Sequence, residues 1–242
     1  MSNYKMTIGC EIHTELKTKS KMFSSSANIY NSPINTNINE IDLALPGSMP
    51  SPNKQAVIFG IILAKAFCMK IESNLIFDRK NYFYQDLPKG FQITQQYFPI
   101  GKDGIVQITS KDIRIERIHL EEDTAKQISI NDEILLDYNR AGIPLLEIVS
   151  CPDIHSKEEC IEFLTELKRT LIFLGISDGK MEEGSLRVDL NISVSNTDAL
   201  GTKVEIKNIN SFSNVALAID YEFDRQTKLL ESGQIVNQET RR

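Results

Sequence analysis

The stretch SLRVDLNISVS, residues 185–195, constrains the fold more than any other part of the chain. Leu186, Val188, Leu190, Ile192 and Val194 fall at every second position, with Arg187, Asp189, Asn191 and Ser193 between them. Side chains along a strand point alternately to opposite faces, so this segment reads as a β-strand with one apolar and one polar face. KVEIK repeats the pattern, setting Val204 and Ile206 against Lys203, Glu205 and Lys207. A third strand, from about Lys5 to Lys17, contains IGCEIHTEL, in which Glu11, His13 and Glu15 alternate with Cys10, Ile12, Thr14 and Leu16. One-sided strands of this kind belong to antiparallel sheets, because parallel strands are covered on both faces.

Helix signals are fewer. In SKEECIEFLTELKRTLIFLG, Ser156 and Glu159 form a capping box, Ile161, Leu164, Leu167 and Leu171 supply an apolar stripe, and Gly175 stands just past the end. A final helix is expected from about Ser211 to Ser232, ending at Gly233. Ser51 followed by Pro52 reads as an N-cap and first helical residue, opening a helix to about Met69 with Val57, Ile61 and Ala64 among its apolar positions. Further strands are expected in NLIFDRKNYFYQ, near 92–97, 104–109, 112–121 and 133–139, and in GIPLLEIVS. KDG and SKD read as tight turns, and the Ser-, Asn- and Lys-rich stretch 18–40 as a long surface loop. Strands dominate, with three helices and few β-α-β units. The expectation is an α+β fold with a largely antiparallel sheet and a few flanking helices, as one compact domain over 1–242.

A net charge of −6 argues against holding nucleic acid mainly by bulk positive charge. The four cysteines form no CxxC pair, so no zinc site is expected. No apolar run is long enough to span a membrane and no apolar signal core opens the chain. A cytoplasmic location is the simplest reading, with a mature organelle form left open.

The polar faces carry a particular inventory. RIHLEED offers Arg117, His119, Glu121, Glu122 and Asp123, and its apolar phase flips between Ile115 and Ile118, the mark of a bulge. If these residues converge with Glu11, His13, Asp189 and Glu205, they form a carboxylate-rich bowl. Crowded carboxylates call for a cation, and Mg²⁺ shared with substrate phosphate oxygens is the usual answer. The bland alternative is a solvated sheet face. His13 and His119 taken singly are read as structural. KTKSK, with Lys17, Lys19 and Lys21, is either a phosphate contact or an ordinary solvated run. RKNYFYQ sets Arg79 and Lys80 beside Tyr82, Phe83 and Tyr84, a pairing suited to a nucleotide or an RNA end, although core packing is the expected role of Phe83. P-loop, GxGxxG, GxSxG and HExxH motifs are absent.

Longer motifs go further. IGCEIHTELKTKSKMF, LALPGSMPSPNKQAV, FDRKNYFYQDLPKGFQITQQYFPIG, RIHLEEDTAKQI, DYNRAGIPLLEIVSCPDI, MEEGSLRVDLNISV, GTKVEIKNINSF and QETRR resemble, in order and spacing, the B subunit of the aspartyl/glutamyl-tRNA(Asn/Gln) amidotransferase, the GatB/GatE family. The resemblance covers essentially the whole chain. It implies a cradle-like catalytic domain that uses ATP and Mg²⁺ to phosphorylate the side-chain carboxylate of Glu-tRNA(Gln) or Asp-tRNA(Asn). Ammonia from the glutaminase (amidase) A subunit then displaces the phosphate, while the small C subunit holds the pair together. The reaction class is that of a glutamine-hydrolysing carbon–nitrogen ligase. By matching motifs, Glu11, Glu122, Asp189 and Glu205 are expected to be catalytic, and His13, Glu11, Glu121 and Glu122 to bind metal. His13 and Glu122 are the expected direct contacts. Glu11, Asp189 and Glu205 are expected to hold a second ion or help bring in ammonia, and Lys80, Arg187 and Lys207 to meet phosphate or substrate. Some relatives carry paired cysteines in the early loop; MFSSSANIY and NINEIDLALPG lack them. Family members continue past QETRR into helical and tail domains that bind tRNA, so this chain is expected to match the N-terminal catalytic part only. The competing readings are a non-catalytic partner that docks the A subunit, or a stand-alone Mg²⁺-dependent phosphohydrolase.

Overall fold

A computed structural model describes residues 3–242. Its centre is an eight-stranded sheet in which the first strand of the chain, β1 (Lys5–Glu15), lies inside rather than at an edge. Antiparallel to it on one side runs β10 (Leu186–Ser195), and on the other β9 (Pro144–Ser150). Beyond β9 come β6 (Asp112–Glu122), β5 (Gly101–Gln107) and β2 (Lys70–Ile71); beyond β10 come β11 (Val204–Ile209) and β12 (Thr240–Arg241). Among the described residues, only the β11–β12 pair is parallel. Two hairpins stand apart from the sheet: β3 (Asp78–Asn81) with β4 (Phe91–Thr94), and β7 (Lys126–Ile130) with β8 (Glu133–Asp137). The architecture is the expected α+β fold with a mostly antiparallel sheet.

The alternation in sequence becomes a division between the two sides of this sheet. Ile8, Ile12, Ile118, Leu146, Ile148, Leu190 and Ile192 are buried in one core. Helices α1 (Lys54–Ala66), α2 (Lys157–Phe173) and α3 (Phe212–Glu231) cover it with Leu63, Phe163, Leu167, Val215 and Ile219. Cys10 and Cys160 meet inside it, Sγ to Sγ 3.8 Å. The opposite side of the sheet carries the acids, imidazoles and cations. At α1 the helix passes so close to the sheet that a Cβ on Gly60 would lie 2.9 Å from Ile100 Cδ1.

Helix ends follow local chemistry. Ser156 accepts from Glu159 N, and the Glu159 carboxylate reaches back to His155 N. Gly175 takes φ +68° beyond α2, where a side chain would be strained. The first helix starts later than expected. Its N-cap is Asn53, whose side chain accepts from Gln55 N and Ala56 N, whereas Ser51 and Pro52 lie outside the helix. Two hydrogen bonds to the Asn53 side chain outweigh the Ser-Pro signal.

Other expectations are corrected. KDG lies within β5 rather than at a turn, while SKD does join β5 to β6. The strand expected over 74–85 is limited to Asp78–Asn81, and Phe83 is 88% exposed instead of packed in the core. The 18–40 segment is not wholly at the surface, since Lys21, Met22 and Phe23 are buried. Lys21 is no solvated cation: it is fully buried, 3.4 Å from Asp42 and 3.2 Å from Tyr138 O. Burial pulls its ammonium below the ordinary lysine value, against the opposing pull of Asp42. Asp42 also accepts from Ser24 (2.7 Å), Ser26 (2.5 Å) and Asn39 N (3.1 Å). A buried carboxylate thus gathers both ends of the loop.

Candidate metal and phosphate site

Cross-strand register builds the site. His13 on β1 stands opposite Glu147 on β9 and Arg187 on β10, and Glu147 stands opposite His119 on β6. Glu147 therefore lies between two imidazoles, with its Oε2 3.3 Å from His13 Nε2 and 3.1 Å from His119 Nε2. Glu121, next on the same face of β6, lies 3.3 Å from His13 Nε2 and 3.7 Å from His119 Nε2. The bulge read from the phase flip is present: the β6–β9 register shifts between Ile115 and Arg117. It lets Ile113 and Ile115, then Ile118 and Leu120, all face the core while His119 and Glu121 share the opposite side of the sheet.

The electrostatics are those of a closed acid–imidazole group. Burial works to raise the Glu147 carboxyl, but the two imidazoles outweigh it and hold that group far below the ordinary carboxylate range. Burial opposes charge on His119, yet Glu121 and Glu147 push it up to about 9. His13 is also raised: burial opposes its charge, and the same acids outweigh that effect. Both acids thus favour the charged form of His119, whose Nδ1 is buried without a hydrogen-bond partner among the described residues.

His13, Glu121 and Glu147 each present a ligand atom within 4.8 Å of the others. One imidazole nitrogen and two carboxylate oxygens fit a hard divalent cation that completes its shell with water and substrate oxygens. Ligation requires His13 to be neutral, so the proton and the ion compete for it.

His13 and Glu121 of this trio line a cleft of about 310 Å³, walled also by Lys80, Tyr82, Asp123, Arg187, Asp189 and Lys207, among others. Arg187 grips Asp123 through two nitrogens, 3.3 and 3.0 Å. Burial and the surrounding acids, Glu121 first, push the Tyr82 hydroxyl up to about 12. Lys207 bridges Asp189 (3.1 Å) and Glu205 (3.0 Å), and Glu11 accepts from Asn191 (2.9 Å). Lys80 rests over the Tyr82 ring, 5.8 Å from its centroid.

The structure therefore brings His13, Glu121, Arg187, Asp189, Lys207 and Lys80 to one cleft, with Glu205 behind Lys207 and Glu11 on the same sheet face. Glu122 is not beside His13. Neighbours along a strand face opposite ways, and its carboxylate is held by Lys89 (2.8 and 2.9 Å) and Ile93 N (3.1 Å). Burial pushes its carboxyl up, with Lys89 opposing. The residue that sequence reasoning missed is Glu147. Its signal was a single acid inside the otherwise apolar run PLLEIV.

Fold and site together define an α+β domain with an acid–imidazole group beside a cation-walled cleft, a layout suited to handling phosphate. A family model described as the GatB/GatE catalytic domain matches residues 6–242, and the chain belongs to that family. It is 57% identical to the aspartyl/glutamyl-tRNA(Asn/Gln) amidotransferase B subunit of Ureaplasma urealyticum, over 100% of this chain and 52% of that protein. The same subunit of Malacoplasma penetrans is 57% identical over 98% of this chain and 49% of its own length. That of Mesoplasma florum is 51% identical over 100% and 52%. The chain spans about half the length of the curated relatives it matches. Among the described residues no helix is long and apolar enough to cross a membrane.

Proposed function

We propose that this domain is the phosphorylating and amidating part of a tRNA-dependent amidotransferase. It activates the side-chain carboxylate of Glu-tRNA(Gln) or Asp-tRNA(Asn) with ATP, and ammonia then replaces the phosphate. The observation that carries this reading is the His13–Glu121–Glu147 trio at the edge of a cleft walled by Lys80, Arg187 and Lys207. Mg²⁺ held by the trio would offset the like charges of carboxylate and triphosphate. Lys207 and Lys80 offer ammonium groups to phosphate oxygens, and Arg187, fixed by Asp123, keeps one orientation toward an anion. His119, in its charged form, would offset the repulsion between Glu121 and Glu147. Glu11 and Asp189 are cross-strand neighbours, and Asp189 lines the cleft, which supports giving the pair the role of accepting a proton as ammonia becomes an amide. The relatives are B subunits of a larger enzyme, which supports its A and C subunits as partners and the cytoplasm, where translation occurs, as the location.

The test is ADP formation by the protein with A and C subunits, Mg²⁺, ATP and Glu-tRNA(Gln), with and without the charged tRNA. ADP that depends on the charged tRNA is expected. Turnover that ignores tRNA would favour a phosphohydrolase, and no turnover by folded protein would favour a docking role.

A further inference from the structure

The last described strand reaches the cleft from behind. β12 pairs in parallel with β11, placing Thr240 beside Glu205, and Glu205 N donates to Glu239 O (3.0 Å). The Thr240 hydroxyl donates to Glu205 Oε2 (2.8 Å), while Glu205 Oε1 meets Lys207 (3.0 Å). Lys207 in turn meets Asp189 in the cleft wall (3.1 Å). These contacts form one chain from the strap at 239–241 to the cleft.

Lys207 needs such support for a structural reason. The β10–β11 register shifts between Val188 and Leu190, so Lys207 and Asn208 of β11 stand where β10 has Asp189 alone, and Asn208 takes φ +64°. A bulge re-aims side chains but also breaks the ladder that would fix them. Without β12, β11 would be an edge strand bulged at the residue that lines the cleft. The strap is itself anchored. Arg225 contacts both Glu239 (3.1 Å) and the fully buried Glu222 (2.7 Å), joining the strap to α3.

We propose that Thr240 is a positioning residue: its hydroxyl fixes the Glu205 carboxylate, which holds the Lys207 ammonium at Asp189 in the cleft wall. The proposal rests on the cleft being the phosphorylation site only for its kinetic consequence. The Thr240 hydroxyl has one proton and directs it to Glu205. Thr240→Val keeps the shape and removes that proton, and Thr240→Ser restores it.

The test compares the two variants in the full-length protein with its partner subunits, by crystal structure and by steady-state kinetics with ATP and charged tRNA. In Thr240→Val the Glu205 carboxylate turns and Lys207 leaves Asp189. The kcat/KM for ATP falls roughly tenfold, and Thr240→Ser returns both to the starting state. Unmoved Glu205 and Lys207 in Thr240→Val would overturn the proposal, as would failure of Thr240→Ser to restore kinetics in a folded protein. Displaced Lys207 with unchanged kinetics would uphold the positioning and overturn the role given to this wall of the cleft.

Discussion

Glu147 is the residue on which the acid–imidazole group turns, because both imidazoles lean on the same oxygen. Glu147→Gln keeps the shape, removes the charge of one of three candidate ligands and leaves Glu121 as the one acid in contact with both His13 and His119 among the described residues. Mn²⁺ or Mg²⁺ affinity, measured by calorimetry, is expected to fall by roughly tenfold or more, and under the proposed function ADP formation is lost with it. Glu15, at the end of the same strand as His13, gives a separate titration. Burial and nearby Asp123 push its carboxyl from 4.5 to about 7. The folded state therefore takes up a proton that the unfolded state lacks between those pH values, so stability falls as pH rises through that window and is flat above it. Glu15→Gln removes this slope and raises stability above pH 7 by on the order of 2 kcal/mol, read from urea midpoints at pH 5 and 8. At this scale the sequence announced His13 and Glu121 through alternation. Glu147 escaped notice because an apolar strand with one acid looks like a core strand. Phe83 misled because aromatic content says what a side chain prefers, not whether the fold offers it a cavity.

Among the elements, the loop that follows β1 departs furthest from its sequence signal. Its polar composition suggested a solvated surface, but Lys21 is buried with Asp42, and two serines share that carboxylate. Polar residues that satisfy one another can be buried, and nothing in a local window shows which pairs will meet. Breaking a buried pair leaves an uncompensated charge. Asp42→Ala is expected to destabilise the protein by about 3 kcal/mol in urea unfolding, and the double change Lys21→Met, Asp42→Ala by less. The helices α2 and α3 were legible to within a residue or two because capping residues, apolar stripe and terminal glycine agreed. The start of α1 was not: Ser51 and Pro52 pointed too early, and the cap is Asn53, whose amide is held by the Ser20 and Lys21 carbonyls of a distant loop.

For the whole molecule, strand alternation revealed that acids and cations would share one side of a sheet, but not the strand order that makes them neighbours. That order follows from pairings between distant segments, such as Glu11 with Asn191, 180 residues apart. Amide exchange followed by mass spectrometry should find β1, β9 and β10 the slowest, and the separate β7–β8 hairpin the fastest of the strands. Uniform protection across both would contradict the arrangement. The interior place of β1 also has a consequence for biosynthesis. On the ribosome β1 emerges before the other strands of this domain, with Ile8 and Ile12 exposed, and neither neighbour exists yet. At about 5–20 residues per second, β10 follows only after roughly ten to forty seconds. Until β9 emerges and offers the first pairing, ahead of β10, the nascent chain carries an unpaired strand with an apolar face, a natural client for a chaperone at the exit tunnel.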